Sequence, residues 1–157
     1  MTKTSKKEIE QVFKSHVPFV FSNYMIDLFC SKDITFKLKP NRKTKLGDFR
    51  PLNSSGKYKI TINNDLNPYS FLITFIHEFS HLITFEQHQG RVKPHGSEWR
   101  DNYRSLLRPV IEEKTFPKKL QEALIFSLFK TRVSSCLDYR LYKELSEFDD
   151  KKEGCFL

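Results

Sequence analysis

The chain is short of cysteine and glycine and lacks a long unbroken apolar run, and each shortage closes off a class of protein. Cys30, Cys136 and Cys155 are its only cysteines, an odd number set far apart. They form no C-x-x-C pair, which argues against a disulfide framework and against a cysteine-built zinc site. Cys30 ends an apolar stretch and is expected as a small core residue. No apolar segment reaches the roughly 20 residues that span a bilayer. The polar start Met1–Glu8 has no hydrophobic stretch behind it, unlike a secretory signal. Both absences point away from membranes and secretion and toward a cytoplasmic protein. With no internal repeat or low-complexity tract, residues 1–157 suit a single domain long enough to bury a core.

What is abundant is phenylalanine, 15 residues, and positive charge, a formal net +8. The first predicts an aromatic core. The charge is uneven: between Lys37 and Lys59 stand Lys37, Lys39, Arg42, Lys43, Lys45, Arg50, Lys57 and Lys59 against Asp48 alone. A second basic set is Arg91, Lys93, Arg100, Arg104 and Arg108, whereas Glu144, Glu147, Asp149, Asp150 and Glu153 make the C-terminal stretch acidic. Such asymmetry fits an electrostatic footprint for nucleic acid or an acidic substrate. It fits equally well a solvated surface that keeps the protein soluble.

Hydrophobic periodicity predicts a helix over Glu8–Cys30, kinked or divided at Pro18. Alternation predicts strands at Ile34–Lys39 and Lys57–Ile62, with Lys45–Pro51 a weaker candidate and Asn53–Gly56 a turn. Asn67 is a candidate N-cap with Pro68 in the first position of the next helix. Further helices are expected after Trp99 as far as Leu107, with a break at Pro109, then over Leu120–Phe129 and Asp138–Leu145. Three short strands with helices packed on them make an α+β fold.

Within the third helix, Phe71–Phe85, two histidines and a glutamate interrupt an otherwise apolar run: His77, Glu78 and His81. Residues i and i+4 share a helical face, so the two imidazoles stand side by side at the spacing of a divalent cation. Phe71, Leu72, Ile73, Phe75, Ile76, Phe79, Leu82, Ile83 and Phe85 surround the axis, which describes a buried helix rather than a solvated one. Chance placement on a surface face therefore explains the trio poorly. This is the HExxH arrangement of zinc hydrolases, with His77 and His81 on the metal and Glu78 as general base toward water.

Catalytic zinc takes three protein ligands, and three residues downstream compete for the third place. His95 follows a loop containing Gly90 and Pro94 that can fold back; Glu98 and His88 rank behind it. The pairing of His77-Glu78-Phe79-Ser80-His81 with a later His95-Gly96-x-x-Trp99-Arg100 resembles the signature of SprT-like metallopeptidases. Gly47, the strand ending Ile60–Asn63 and the apolar run before the motif are also similar, so the resemblance covers about 45–107. It implies a zincin-like fold with a small sheet on the active-site helix. It also implies a Zn²⁺-dependent peptidase, with His77, His81 and His95 as ligands and Glu78 as general acid and base. Eukaryotic relatives degrade proteins crosslinked to DNA, so the resemblance extends the expected partners to DNA-associated proteins.

Many longer relatives carry a cysteine-rich zinc ribbon after this domain. This sequence has none, and its residues 138–157 resemble a connector. The expected partners are thus a protein or peptide substrate and DNA held by Lys37–Lys59 and Arg91–Arg108. Tyr58, Tyr69 and Tyr103 are candidate oxyanion donors. A rival reading is a basic nucleic-acid-binding module whose zinc is structural or whose site is degenerate. Trp99 is expected to anchor the His95 loop by packing.

Overall fold

The computed structural model describes residues 3–52, 56–128 and 139–149. Its elements follow the order α1 (Lys6–His16), a 3-10 turn (Phe19–Phe21), α2 (Ser22–Cys30), β1 (Asp33–Lys39), β2 (Gly47–Pro51), β3 (Lys57–Asn63), α3 (Pro68–His88), α4 (Ser97–Ile111), α5 (Lys118–Leu128) and α6 (Tyr139–Ser146). This is the expected α+β class. Pro18 divides the first helical stretch outright, because proline offers no N–H and the residue before it is pushed out of helical backbone. Val17 is extended at the break, and Phe19 and Val20 are left exposed to solvent.

Two expectations are corrected. Cys30 is exposed rather than buried, since Met25, Ile26 and Phe29 occupy the core face of α2 and leave it on the far side. Cys136 and Cys155 lie outside the described residues. Pro109 does not end α4, which runs on to Ile111. Proline near a helix end costs one hydrogen bond, and burial of Val110 and Ile111 holds the last turn in place.

The strands form one mixed sheet in the order β1-β3-β2, with β1 parallel and β2 antiparallel to β3. The chain from β1 to β2 must cross the end of β3, and Asn63 there secures the crossing. Fully buried, it donates from Nδ2 to the carbonyls of Lys45 (2.9 Å) and Arg42 (3.3 Å) and accepts from Arg42 Nε at 2.7 Å. Cross-strand partners share a face and neighbours alternate. Ile34, Phe36, Leu38, Tyr58, Ile60, Ile62, Gly47 and Phe49 therefore face α3. Lys37, Lys39, Lys57, Lys59 and Arg50 lie together on the opposite face, with Asp33 and Asp48 among them.

Helix α3 is the axle of the molecule, packed against β2 and β3, against α4 and against α1. Asn67 caps it, its Oδ1 accepting from the Ser70 amide at 2.9 Å. The same side chain donates to the Leu145 carbonyl (2.9 Å) and to Asp149 (2.8 Å), which ties α6 to the start of α3. Every residue from Ser70 to Ser80 is buried. So many β-branched and aromatic residues make a poor isolated helix, so tertiary packing rather than propensity holds it. The buried hydroxyls of Ser80 and Thr84 donate back to the carbonyls of Ile76 (2.6 Å) and Ser80 (2.8 Å). Phe13 packs against Phe29, Phe36, Phe71 and Phe75, forming the aromatic core at its N-terminal half.

Candidate metal centre

His77 and His81 occupy one face of α3, with ring centroids 5.0 Å apart. His95 must be brought to them from outside the helix. α3 ends where Gln89 and Gly90 both adopt left-handed backbone, φ 53° and 76°. The Gln89 amide donates to the Phe85 carbonyl at 2.6 Å and the Arg91 amide to the His88 carbonyl at 3.0 Å. Left-handed residues at a helix end turn the chain sharply, and glycine takes that conformation without steric cost. A second turn, closed by the Gly96 amide on the Lys93 carbonyl at 3.1 Å, sets His95 just before α4.

His95 Nε2 then lies 3.1 Å from the Nε2 atoms of both His77 and His81. Among the described residues, these three form the one group of histidine, cysteine or acidic side chains that could hold a metal ion. His88, the last residue of α3, and Glu98, in the first turn of α4, lie outside it. The Glu98 carboxylate instead accepts from the Ser97 hydroxyl at 3.4 Å.

Electrostatics keep the donors ready. Burial, then the neighbouring His81 and His95, hold His77 well below the usual histidine range. Burial and His95, opposed by Asp48, lower His81 to about 4, and burial lowers His95. All three imidazoles are therefore neutral at pH 7, the form that ligates. Neutral rings with three nitrogens converging this closely are a poor arrangement for one another. A single proton bridges one pair, yet His95 Nε2 faces two partners at equal distance. A cation at the centre satisfies all three. Tetrahedral zinc with bonds near 2.0–2.1 Å sets its nitrogen ligands about 3.4 Å apart, close to what is found. The donor set fits.

Glu78 is buried beside this group, Oε2 4.0 Å from His77 Nε2. Burial chiefly, and Asp48 second, push its carboxyl up to about 8, while Lys45 and Arg42 pull the other way. Strand β2 lies directly against it. A methyl group on Gly47 would meet Thr74 Cγ2 at 2.7 Å and Glu78 Cγ at 3.1 Å, so only glycine lets the strand approach this closely. Asp48, next along β2, is held by Lys45 (3.4 Å) and Arg50 (2.8 Å).

Trp99 packs against all three histidines, its ring 4.7–5.4 Å from theirs and its Nε1 donating to the His77 carbonyl at 3.3 Å. Tyr103 stacks on it at 4.6 Å, so both fully buried rings brace the triad as packing anchors. Of the candidate oxyanion donors, Tyr58 is engaged elsewhere, donating to Glu86 at 2.8 Å, and its hydroxyl is pushed up to about 12 by burial and that glutamate. Tyr69 packs between Phe116 and Phe148. The sequence did not reveal Asn63 as the clamp of the β1–β2 crossing or Asp48 as a charge acting on Glu78. The one available signal was a polar residue closing a strong strand.

No curated protein and no solved structure matches the chain. A family model described as SprT-like matches residues 9–119, more than two thirds of the 157 residues. The match runs from α1 into the first turn of α5 and so takes in the sheet, the buried helix and the loop that delivers His95. The likeness first carried by two short motifs thus extends over the whole architecture that builds the histidine group, and the chain belongs to the SprT-like family.

Proposed function

We propose that this protein is a zinc-dependent metallopeptidase in which His77, His81 and His95 hold the ion and Glu78 moves the proton. The carrying observation is the convergence of three neutral imidazole nitrogens with a buried carboxyl at their side. Imidazole donors suit zinc, and three protein ligands with a place left open mark catalytic rather than structural sites. When bound, Zn²⁺ supplies a Lewis acid that acidifies water and polarises the scissile carbonyl.

The chain's own residues do the rest. Glu78 accepts a proton from the attacking water and returns it to the leaving amine. Burial and Asp48 raise its basicity against the pull of Lys45 and Arg42, to about 8, close to the neutral range in which a group can both take up and return a proton. Strand β2 ends the sheet directly above Glu78, so a substrate strand pairing with its outer edge would pass over the carboxyl. Backbone pairing of this kind brings affinity with little dependence on side chains.

The test is metal analysis of protein purified without chelators, beside Glu78→Gln. One zinc per chain in both proteins, with hydrolysis of an unfolded protein substrate in the wild type alone, is expected. Protein that takes up no zinc when offered it rules the proposal out.

A second reading, nucleic-acid binding, is favoured by one observation: the register collects Lys37, Lys39, Arg50, Lys57 and Lys59 on the sheet face opposite α3. DNA held there would leave the histidine group free, which is how a peptidase acting on DNA-associated proteins would need it. Replacing Lys37 and Lys59 with glutamine should weaken duplex binding and reduce the salt slope by roughly two. Binding that is absent, or indifferent to both lysines, counts against it.

A further inference from the structure

We propose that a small apolar pocket beside the histidine group receives one side chain of the substrate and confines cleavage to sites with an apolar residue within two positions of the scissile bond. This rests on the peptidase reading above. The pocket, about 200 Å³, is lined by Phe49, His81, Phe85, Val92, Pro94 and Trp99. It shares His81 with the candidate metal centre and Phe49 with the edge strand. It is therefore continuous with both parts of the site that a peptide would touch.

Strand geometry sets which substrate residue reaches it. Gly47 and Phe49 both face α3, Gly47 against Thr74 and Glu78, and Phe49 against Phe85 with ring centroids 6.2 Å apart. The two positions are one pleat apart, roughly 7 Å along the strand. A peptide extended along β2 with its scissile carbonyl near Glu78 thus places at Phe49, over the pocket, the α3-facing side chain two residues along from the one beside Glu78.

Chemistry sets which side chain is accepted. The Thr84 hydroxyl at the pocket wall already donates to the Ser80 carbonyl and accepts from Asn102, both at 2.8 Å. The Trp99 N–H is spent on the His77 carbonyl. Lys93 at the lining repels a basic side chain. A neutral polar group entering would lose its water without a partner in return, and a carboxylate would find only the exposed Lys93, an ion pair that solvent leaves worth little. An apolar cavity of about 150 Å³ accommodates benzene, so leucine, methionine or phenylalanine fits here.

The experiment measures binding apart from turnover. Zinc-loaded Glu78→Gln protein is titrated with fluorescein-labelled ten-residue Gly/Ser peptides that carry one variable residue: Leu, Phe, Gly, Lys or Asp. Leu and Phe peptides should bind at least about tenfold tighter than the others. The preference should vanish in Val92→Asp, which charges the pocket, and in Val92→Trp, which fills it. Val92 is half-buried in the loop, and melting temperature and zinc content should show both variants intact. Equal binding by all peptides, no binding at all, or a preference that survives both variants overturns the proposal. Selective binding with no wild-type hydrolysis would keep the pocket and remove the peptidase. Hydrolysis with no side-chain preference would do the reverse.

Discussion

His77 and His81 enter the histidine group from inside a helix; His95 enters it from a turn near the surface, and different physics holds each half. The helical pair is set by backbone hydrogen bonds of α3, His77 inside the run 70–80 in which every residue is buried and His81 just past it. The third histidine depends on two consecutive left-handed residues, a second turn at Gly96 and the edge-on support of Trp99. One half is rigid because its surroundings are packed. The other is positioned by chain reversal and, like His81, stays half-buried.

Removing one ligand from each half should separate them most sharply. Both His77→Ala and His95→Ala should weaken zinc at least about 100-fold, beyond what loss of a ligand's supporting contact costs. Added imidazole should restore binding to His95→Ala, whose missing ring leaves a gap reachable from solvent, and not to His77→Ala, where the gap is sealed. Zinc titration against a competing chelator, with and without imidazole, reads both. Rescue of the two variants alike would erase the distinction.

Two glycines extend the comparison. At Gly47 an added methyl clashes with Thr74 although the backbone is unstrained, whereas at Gly90 the methyl finds ordinary contact with Phe85 but φ is +76°. Gly47→Ala should therefore shift β2 or Glu78 and lower kcat on the order of 10–100-fold with zinc retained. Gly90→Ala should cost about 1 kcal/mol of stability and loosen the His95 half instead. Kinetics and urea unfolding of the two variants, side by side, would show whether the defects fall where the geometry puts them.

The smallest expected effect concerns the buried carboxyl. In metal-free protein Glu78 is raised to about 8 from an ordinary 4.5, so the native state holds its proton more firmly than the unfolded chain. That contribution is complete below pH 4.5 and is lost as pH rises through 8. Glu78→Gln removes it, so the variant should be more stable than the wild type at pH 9, by at least about 1 kcal/mol. The gap should narrow toward pH 5. His81, lowered to about 4, destabilises metal-free protein on acidification below 6.5, but it does so in both proteins and cancels in the difference. A gap that does not change with pH would mean the carboxyl is not held up in this way.

Much of the fold was legible because the cues were local. Ile34–Lys39 and Lys57–Ile62 alternate cleanly, Asn67-Pro68 is a helix start, and Pro18 divides a helix whatever surrounds it. The reading of Cys30 failed because one residue of helical phase decides which side faces the core. The break at Pro109 failed because burial of Val110 and Ile111 outweighed a lost hydrogen bond.

Within the histidine group the same boundary recurs. Spacing alone placed His77 and His81 on one face with Glu78 beside them, since helical periodicity is a property of the backbone. Sequence could rank His95 above Glu98 and His88 but could not bring it to the pair. A contact over 14 or 18 residues depends on where a chain turns and what it packs against. Only the tertiary structure brought β2 onto Glu78 through Gly47, put Asp48 where its charge bears on that carboxyl, and opened an apolar pocket between Phe49 and His81. Each of these arises between elements distant in sequence, where side-chain packing decides the outcome and no local pattern records it.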